Sequence, residues 1–195
     1  MPARRLTLVA HASTRGLRSA VFGARDDIDA AGRQAAGHLS SGLGKVDRLL
    51  ISPAPAAAQT AAALGLSGVI DDALRDCDFG RWSGQSFGQV LRHEPRSLVS
   101  WMRRPETAPH GGEAVADLCE RVGVWLDARS RERGRGLAIT HASVIRAAIV
   151  HVIGAGPASF WRIDVAPLAF ADFRSNGRRW VFRGLGAPQA AERDG

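Results

Sequence analysis

The chain has 195 residues, 45% of them hydrophobic, and a formal net charge of +7. That length and apolar fraction support one folded domain with a sizeable core and exclude a disordered chain. The positive charge is nearly all arginine, Lys45 being the only lysine, and it is scattered rather than gathered into a basic stripe with interleaved aromatics, so nucleic acid is not an expected partner.

Residues 6–10 read as a fully buried strand that ends at His11-Ala12-Ser13. The apolar run is too short for a signal-peptide core, and nothing along the chain approaches the ~20 apolar residues of a membrane span. Residues 13–27, rich in Gly and Arg, read as a loop or broken helix. An Ala-rich helix follows over 29–43, stopped near Gly42 and Gly44, then a second strand over 46–51. Ser52-Pro53 opens a helix of alanines that runs to Leu64, and residues 68–70 make a short third strand. A loop over 71–84 carries Asp76, Phe79, Gly80, Trp82 and Gly84. Two short helices broken at Pro95 occupy 86–101, and a Pro/Gly-rich loop over 103–112 carries His110 over the presumed site mouth.

The clearest amphipathic helix spans 113–130, with Val115, Leu118, Val122, Trp125 and Leu126 near helical spacing. Gly134 and Gly136 flank the step into a strand at Leu137, which ends at His141-Ala142-Ser143 and passes into a helix over 143–153. Residues 168–174 and 180–185 read as antiparallel strands turned at Ser175-Asn176-Gly177. The polar residues from about 187 onward are expected to be disordered. Alternating helices and strands predict an α/β fold, a three-layer α/β/α sandwich with a mainly parallel sheet. Cys77 and Cys119 are far apart and without CxxC spacing, which suits a reducing compartment and gives no zinc pattern. Together these features place the protein in the cytoplasm.

His-Ala-Ser occurs twice, each time at a strand end, and α/β sheets bind ligands at the carboxyl ends of their strands. Two such histidines facing one pocket are therefore expected. Ser13 and Ser143 read as helix caps, and Trp82, Trp101, Trp125 and Trp161 as core or pocket wall.

With these residues the chain resembles the histidine phosphatase superfamily, the phosphoglycerate-mutase-like fold, from about residue 6 to residue 185. Ala10-His11-Ala12 followed by Thr14 stands where the family has Arg-His-Gly-x-Thr, and Gly32-Arg33-Gln34-Ala35 matches its Gly-x-x-Gln/Ala stretch. Ser52 to Ala61 matches Ser-x-x-x-Arg-Ala-x-Gln-Thr-Ala, with Ala56 in place of the arginine. Leu74 to Gly84 is similar to Leu-x-Glu-x-x-x-Gly-x-Trp-x-Gly, with Asp76 in place of the glutamate. Gly111-Gly112-Glu113 and His141-Ala142-Ser143-Val144-Ile145-Arg146 match the two remaining motifs.

The resemblance implies one phosphatase-like domain over residues 1–186 that hydrolyses a small phosphate monoester, a phosphorylated metabolite, with no cofactor and no metal. It implies that His11 carries the phosphoryl group as phosphohistidine, Asp76 acts as general acid and base, and His141 stabilises the developing charge. Backbone N–H groups starting the helices after His11 and His141 would add to this. Ser13, Thr14, Arg15, Ser52, His110, Glu113 and Arg146 are the residues expected to contact substrate.

The departures matter as much. Ala10 and Ala56 replace two arginines that clamp the phosphoryl group in the family, and a bidentate arginine–phosphate contact is among the stronger charge-assisted interactions. Arg15, Arg18 and Arg146 are candidates to compensate, with Arg15 preferred. Two other readings stay open: a catalytically impaired binding or regulatory member, and a metal site built from His11, His141 and Asp76. The oligomeric state, a dimer included, is not legible.

Overall fold

A strand that is apolar on both sides must be covered on both faces. The first such run forms β1 (Arg4–Ala10) of a computed structural model that describes residues 4–39 and 45–186. It lies inside a six-stranded sheet with β2 (Arg48–Ile51), β3 (Val69–Ile70), β4 (Gly134–Thr140), β5 (Phe170–Ser175) and β6 (Trp180–Gly186). The order is β3-β2-β4-β1-β5-β6. The first four strands pair in parallel, and β5 and β6 close one edge antiparallel.

Side chains of the central strands alternate between two cores. Leu6, Leu8, Ala10 and Ala138 face a layer built on α6 (Val115–Ala128) and α7 (Ala142–Val152). Val9, Leu137 and Ile139 face α2 (Ala30–Leu39) and α3 (Pro55–Ala63). This is the expected α/β/α sandwich. The remaining helices, α1 (Arg15–Arg18), α4 (Phe87–His93) and α5 (Pro95–Arg103), sit in the long connections near the strand ends. The predicted break at Pro95 separates α4 from α5, because Pro has no N–H to continue a helix and is favoured in its first turn.

Several boundaries shift by two or three residues from the sequence reading. β4 starts at Gly134 rather than Leu137, because Gly134 to Gly136 continue the ladder beside Arg4 to Leu6 of β1. Residues 13–27, expected as a loop or broken helix, contain the single turn of α1 and are pinned by backbone bonds to residues 84–87 and by the Asp26 and Asp29 side chains. The expected glycine stop at Gly42 and Gly44 and the tail over 187–195 lie outside the described residues.

Candidate active site

Register alone brings the two histidines together. β1 and β4 are adjacent and parallel, with Ala10 opposite Thr140. The next residue of each strand is therefore His11 and His141, and the His11 N–H donates to the Thr140 carbonyl at 2.8 Å. The two rings meet edge to face with centroids 5.0 Å apart. β2 flanks β4 on the other side, and its continuation places Ser52, fully buried, with Oγ 2.8 Å from His141 Nε2.

Asp76 arrives on the connection after β3. Its Oδ1 accepts the Ser143 hydroxyl and, at 2.8 Å, the Cys77 N–H, while Oδ2 lies 3.5 Å from His141 Nδ1. The connection is held by Arg121 of α6, which donates to the carbonyls of Ala73, Arg75 and Asp76 and forms a two-pronged ion pair with Glu113 at 2.8 Å. Thr140 Oγ1 adds a buried bond to the Leu74 carbonyl.

Protonation states follow from these contacts. His11 Nδ1 lies 2.8 Å from the Ala12 carbonyl, which only accepts, so in the neutral ring Nδ1 carries the proton and Nε2 the lone pair. His141 is buried, and burial lowers its pKa to about 4, although the nearby Asp76 carboxylate pulls the other way. It is therefore neutral near pH 7. With Nε2 accepting from Ser52, the proton sits on Nδ1, where Asp76 Oδ2, at 3.5 Å, is too far to hold it, so it remains a donor for a ligand in the cavity.

A cavity of about 350 Å³ opens beside these groups, lined at one end by His11, Thr14, Asp76, Cys77, His141, Ser143 and Arg146. Among the described residues Arg146 is the only guanidinium in its wall. Arg146 is anchored through Nε to the Ile163 carbonyl at 2.8 Å and lies near the Phe160 and Trp161 rings. Residues 6–188 match the histidine phosphatase superfamily (branch 1). The chain belongs to this superfamily.

Curated relatives and solved structures agree with that membership. A bifunctional protein of Mycobacterium tuberculosis is 30% identical over 151 residues, covering 73% of this chain. The chain spans only 41% of that relative's length. A putative phosphoserine phosphatase 2 of Hydrogenobacter thermophilus is 26% identical over 90% of this chain and 92% of its own. A glucosyl-3-phosphoglycerate phosphatase of Mycobacterium tuberculosis is 33% identical over 62% of this chain and 58% of its own. At the level of fold, a putative alpha-ribazole-5'-P phosphatase from Escherichia coli superposes with a TM-score of 0.84 at 20% identity, covering 97% of this chain and 98% of its own. No helix among the described residues is long and apolar enough to cross a membrane.

Within this histidine phosphatase fold several expected contacts fall elsewhere. Arg15 is exposed on α1 and is not in the cavity wall, because the single turn of α1 points it outward; Arg18 pairs with Asp29 at 2.6 Å. Ser13 lies outside the wall and caps nothing: its hydroxyl is bound by both Asp29 oxygens at 2.9 Å. The cap of α1 is Thr14, whose Oγ1 accepts the Leu17 N–H. Ser143 is not a cap either, since its hydroxyl turns to Asp76.

Ser52 is sealed behind His141. Glu113 is spent on Arg121. His110 is not over the mouth but buried among Trp82, Trp101 and Phe79, its Nδ1 accepting the Gly112 N–H at 3.0 Å. The backbone after His11 offers little to a ligand: the N–H groups of Ala12, Gly16 and Leu17 are taken by Thr60, Asp26 and Thr14. The first-turn N–H groups of α7, by contrast, have no acceptor within the helix. No group of three His, Cys, Asp or Glu suited to a metal occurs among the described residues, and His141 Nε2 is engaged by Ser52.

Arg121, Thr60 and Gln59 were missed as supports of the site. Thr60 Oγ1 binds the Ala12 N–H and Gln59 Oε1 the Ile28 N–H, clamping the segment after His11 onto α3. Both belong to the Gln-Thr-Ala motif, which was the available signal. Arg121 carried none beyond lying one helical face from Glu113.

Proposed function

We propose that this chain hydrolyses phosphate monoesters through a phosphohistidine on His11 Nε2. The observation that carries the reading is the fixed tautomer of His11: its Nδ1–H is committed to the Ala12 carbonyl, which leaves the opposite nitrogen as a nucleophile at the cavity. Nε2 attacks phosphorus as the bond to the ester oxygen breaks. The proton that the leaving oxygen needs comes from Asp76 Oδ2, since both hydrogen bonds to that carboxylate fall on Oδ1. In the second step water attacks phosphorus, the P–N bond breaks, and Asp76 takes the water proton. His141 and the α7 first-turn N–H groups supply neutral donors to the phosphoryl oxygens, and Arg146 is the cation in reach of the cavity.

Relatives named for phosphoserine and glucosyl-3-phosphoglycerate support the reaction class. The test is phosphate release from p-nitrophenyl phosphate and a panel of monoesters by the wild type and by His11→Ala. Turnover that falls by about 10³ or more in the variant, with an acid-labile phosphoryl group trapped on the wild type alone, is the expected result. Equal activity in His11→Ala overturns it.

A second reading, a binding protein without turnover, draws on Ala10 and Ala56, which are buried where the family places its phosphate clamps. It predicts no release across the panel and no thermal protection by phosphate or vanadate.

A further inference from the structure

The end of the cavity away from the histidines differs in chemistry from the phosphoryl end. It is walled by Leu17, Phe22, Phe79, Phe87, Trp101 and Trp161, with small aliphatic residues between them. Among the described residues, the only polar side-chain atoms in that part of the wall are the indole nitrogens of Trp101 and Trp161. The charged and hydroxyl-bearing residues of the wall, His11, Thr14, Asp76, His141, Ser143 and Arg146, stand at or beside the catalytic end.

The aromatic wall is also continuous. Phe22 contacts Phe79, Phe87 and Trp101, and Trp101 contacts Trp161, with ring centroids between 4.9 and 6.2 Å. At the rim Leu17 and Phe87 remain 41% and 37% exposed, so the apolar surface runs out to solvent.

We infer that the substrate is the phosphate monoester of an apolar alcohol, aromatic or long-chain aliphatic, whose organic group occupies this aromatic chamber while its phosphoryl group meets His11. The inference rests on the hydrolytic reading of the same site and sharpens it. A polar body such as an amino acid or a sugar would bury an ammonium, a carboxylate or several hydroxyls against a wall that offers them two indole N–H donors and no acceptor side chain, which is costly. An apolar group gains from leaving water. With a single guanidinium at the phosphoryl end, attraction for the anion alone is weak by the family's standard. Binding at the non-reacting end then has to hold the ester in place for attack.

The test compares kcat/KM of the wild type for 2-naphthyl phosphate and geranyl phosphate with that for O-phosphoserine and glycerol 3-phosphate. It also compares calorimetric affinities for octylphosphonate and methylphosphonate, which cannot be hydrolysed. The expected result is a preference of at least about 100-fold for the apolar esters, because the polar ones leave buried groups unpaired, and tighter binding of octylphosphonate. Leu17→Glu, at an exposed position where folding is not at stake, shrinks both preferences.

Polar esters turned over as well as the apolar ones overturn the inference and leave hydrolysis standing. If no ester is turned over, the hydrolytic reading falls and the phosphonates decide: tighter octylphosphonate binding upholds the apolar ligand class, and equal binding overturns it.

Discussion

Acidification probes the buried His141 more directly than any change at the cavity rim. In the folded protein its pKa is about 4, burial being the main cause, against an ordinary value of 6.5. Between those values the unfolded chain holds a proton on this ring that the native chain does not, so stability rises with pH across the window. The contribution is fully present above about pH 6.5 and is lost as pH falls toward 4. Roughly two and a half units at about 1.4 kcal/mol each come to about 3 kcal/mol, a sizeable part of a typical folding free energy.

His110 is also held neutral by burial and acts in the same direction, as do Asp29 and Glu94 further down the scale, because their pKa values are lowered too. The comparison that isolates His141 is therefore urea unfolding of the wild type and of His141→Asn at pH 7.5 and pH 4.5. The wild type should lose about 3 kcal/mol more than the variant between the two pH values. Parallel losses in the two proteins would show that His141 is not buried in neutral form, and would remove the basis for treating it as an uncharged donor.

Three further perturbations address the site and its scaffold. Ala10→Arg returns a guanidinium to a position in the cavity wall, and kcat/KM for p-nitrophenyl phosphate should rise by about tenfold or more; no rise would mean that the missing clamp is not what limits turnover. Ser52→Ala leaves His141 Nε2 buried without a partner, and urea unfolding at pH 7.5 should show a loss of about 1–3 kcal/mol. Arg121→Ala strips the buried partner from Glu113 and three carbonyls of the Asp76 connection, so the same measurement should show a loss of about 3–5 kcal/mol.

The sheet and its two strand-end histidines were legible because their causes are local. Apolar runs of strand length, a following polar residue and a glycine or proline at each helix end fix the elements, and the His-Ala-Ser pair marks where two of them stop. What could not be read was direction. Ser13 and Ser143 both follow His-Ala, yet one is held by Asp29 and the other by Asp76. The choice depends on how segments distant in sequence return to the sheet. Glu113 ends the Gly-Gly-Glu motif and His110 lies in a Pro/Gly-rich loop, and those positions suggested contact with substrate. Those glycines serve backbone packing instead: a Cβ on Gly112 would collide with the Asp78 carbonyl and the Gly80 nitrogen. That close approach fixes the two loops together and turns Glu113 toward Arg121. The partner that makes Glu113 structural, eight residues along α6, has no motif of its own.

Charge is where the chain departs furthest from its family, and the structure shows why an arginine nearby in sequence is no substitute. Arg15 follows His11 by four residues, but Thr14 caps a one-turn helix that carries Arg15 outward, and Arg18 is taken by Asp29. Arg146 reaches the cavity because it lies one helical turn beyond Ala142 on α7, whose start is fixed by His141 itself. Its guanidinium is already anchored on the Ile163 carbonyl and partly desolvated, and burial lowers its pKa from the usual arginine value. An anchored cation of this kind is preorganised but cannot swing to follow a migrating phosphoryl group as two opposed clamps would. On the proposed reading the site would depend on orientation by neutral donors and by the aromatic chamber, tying turnover to the organic half of the ester more tightly than to the phosphate.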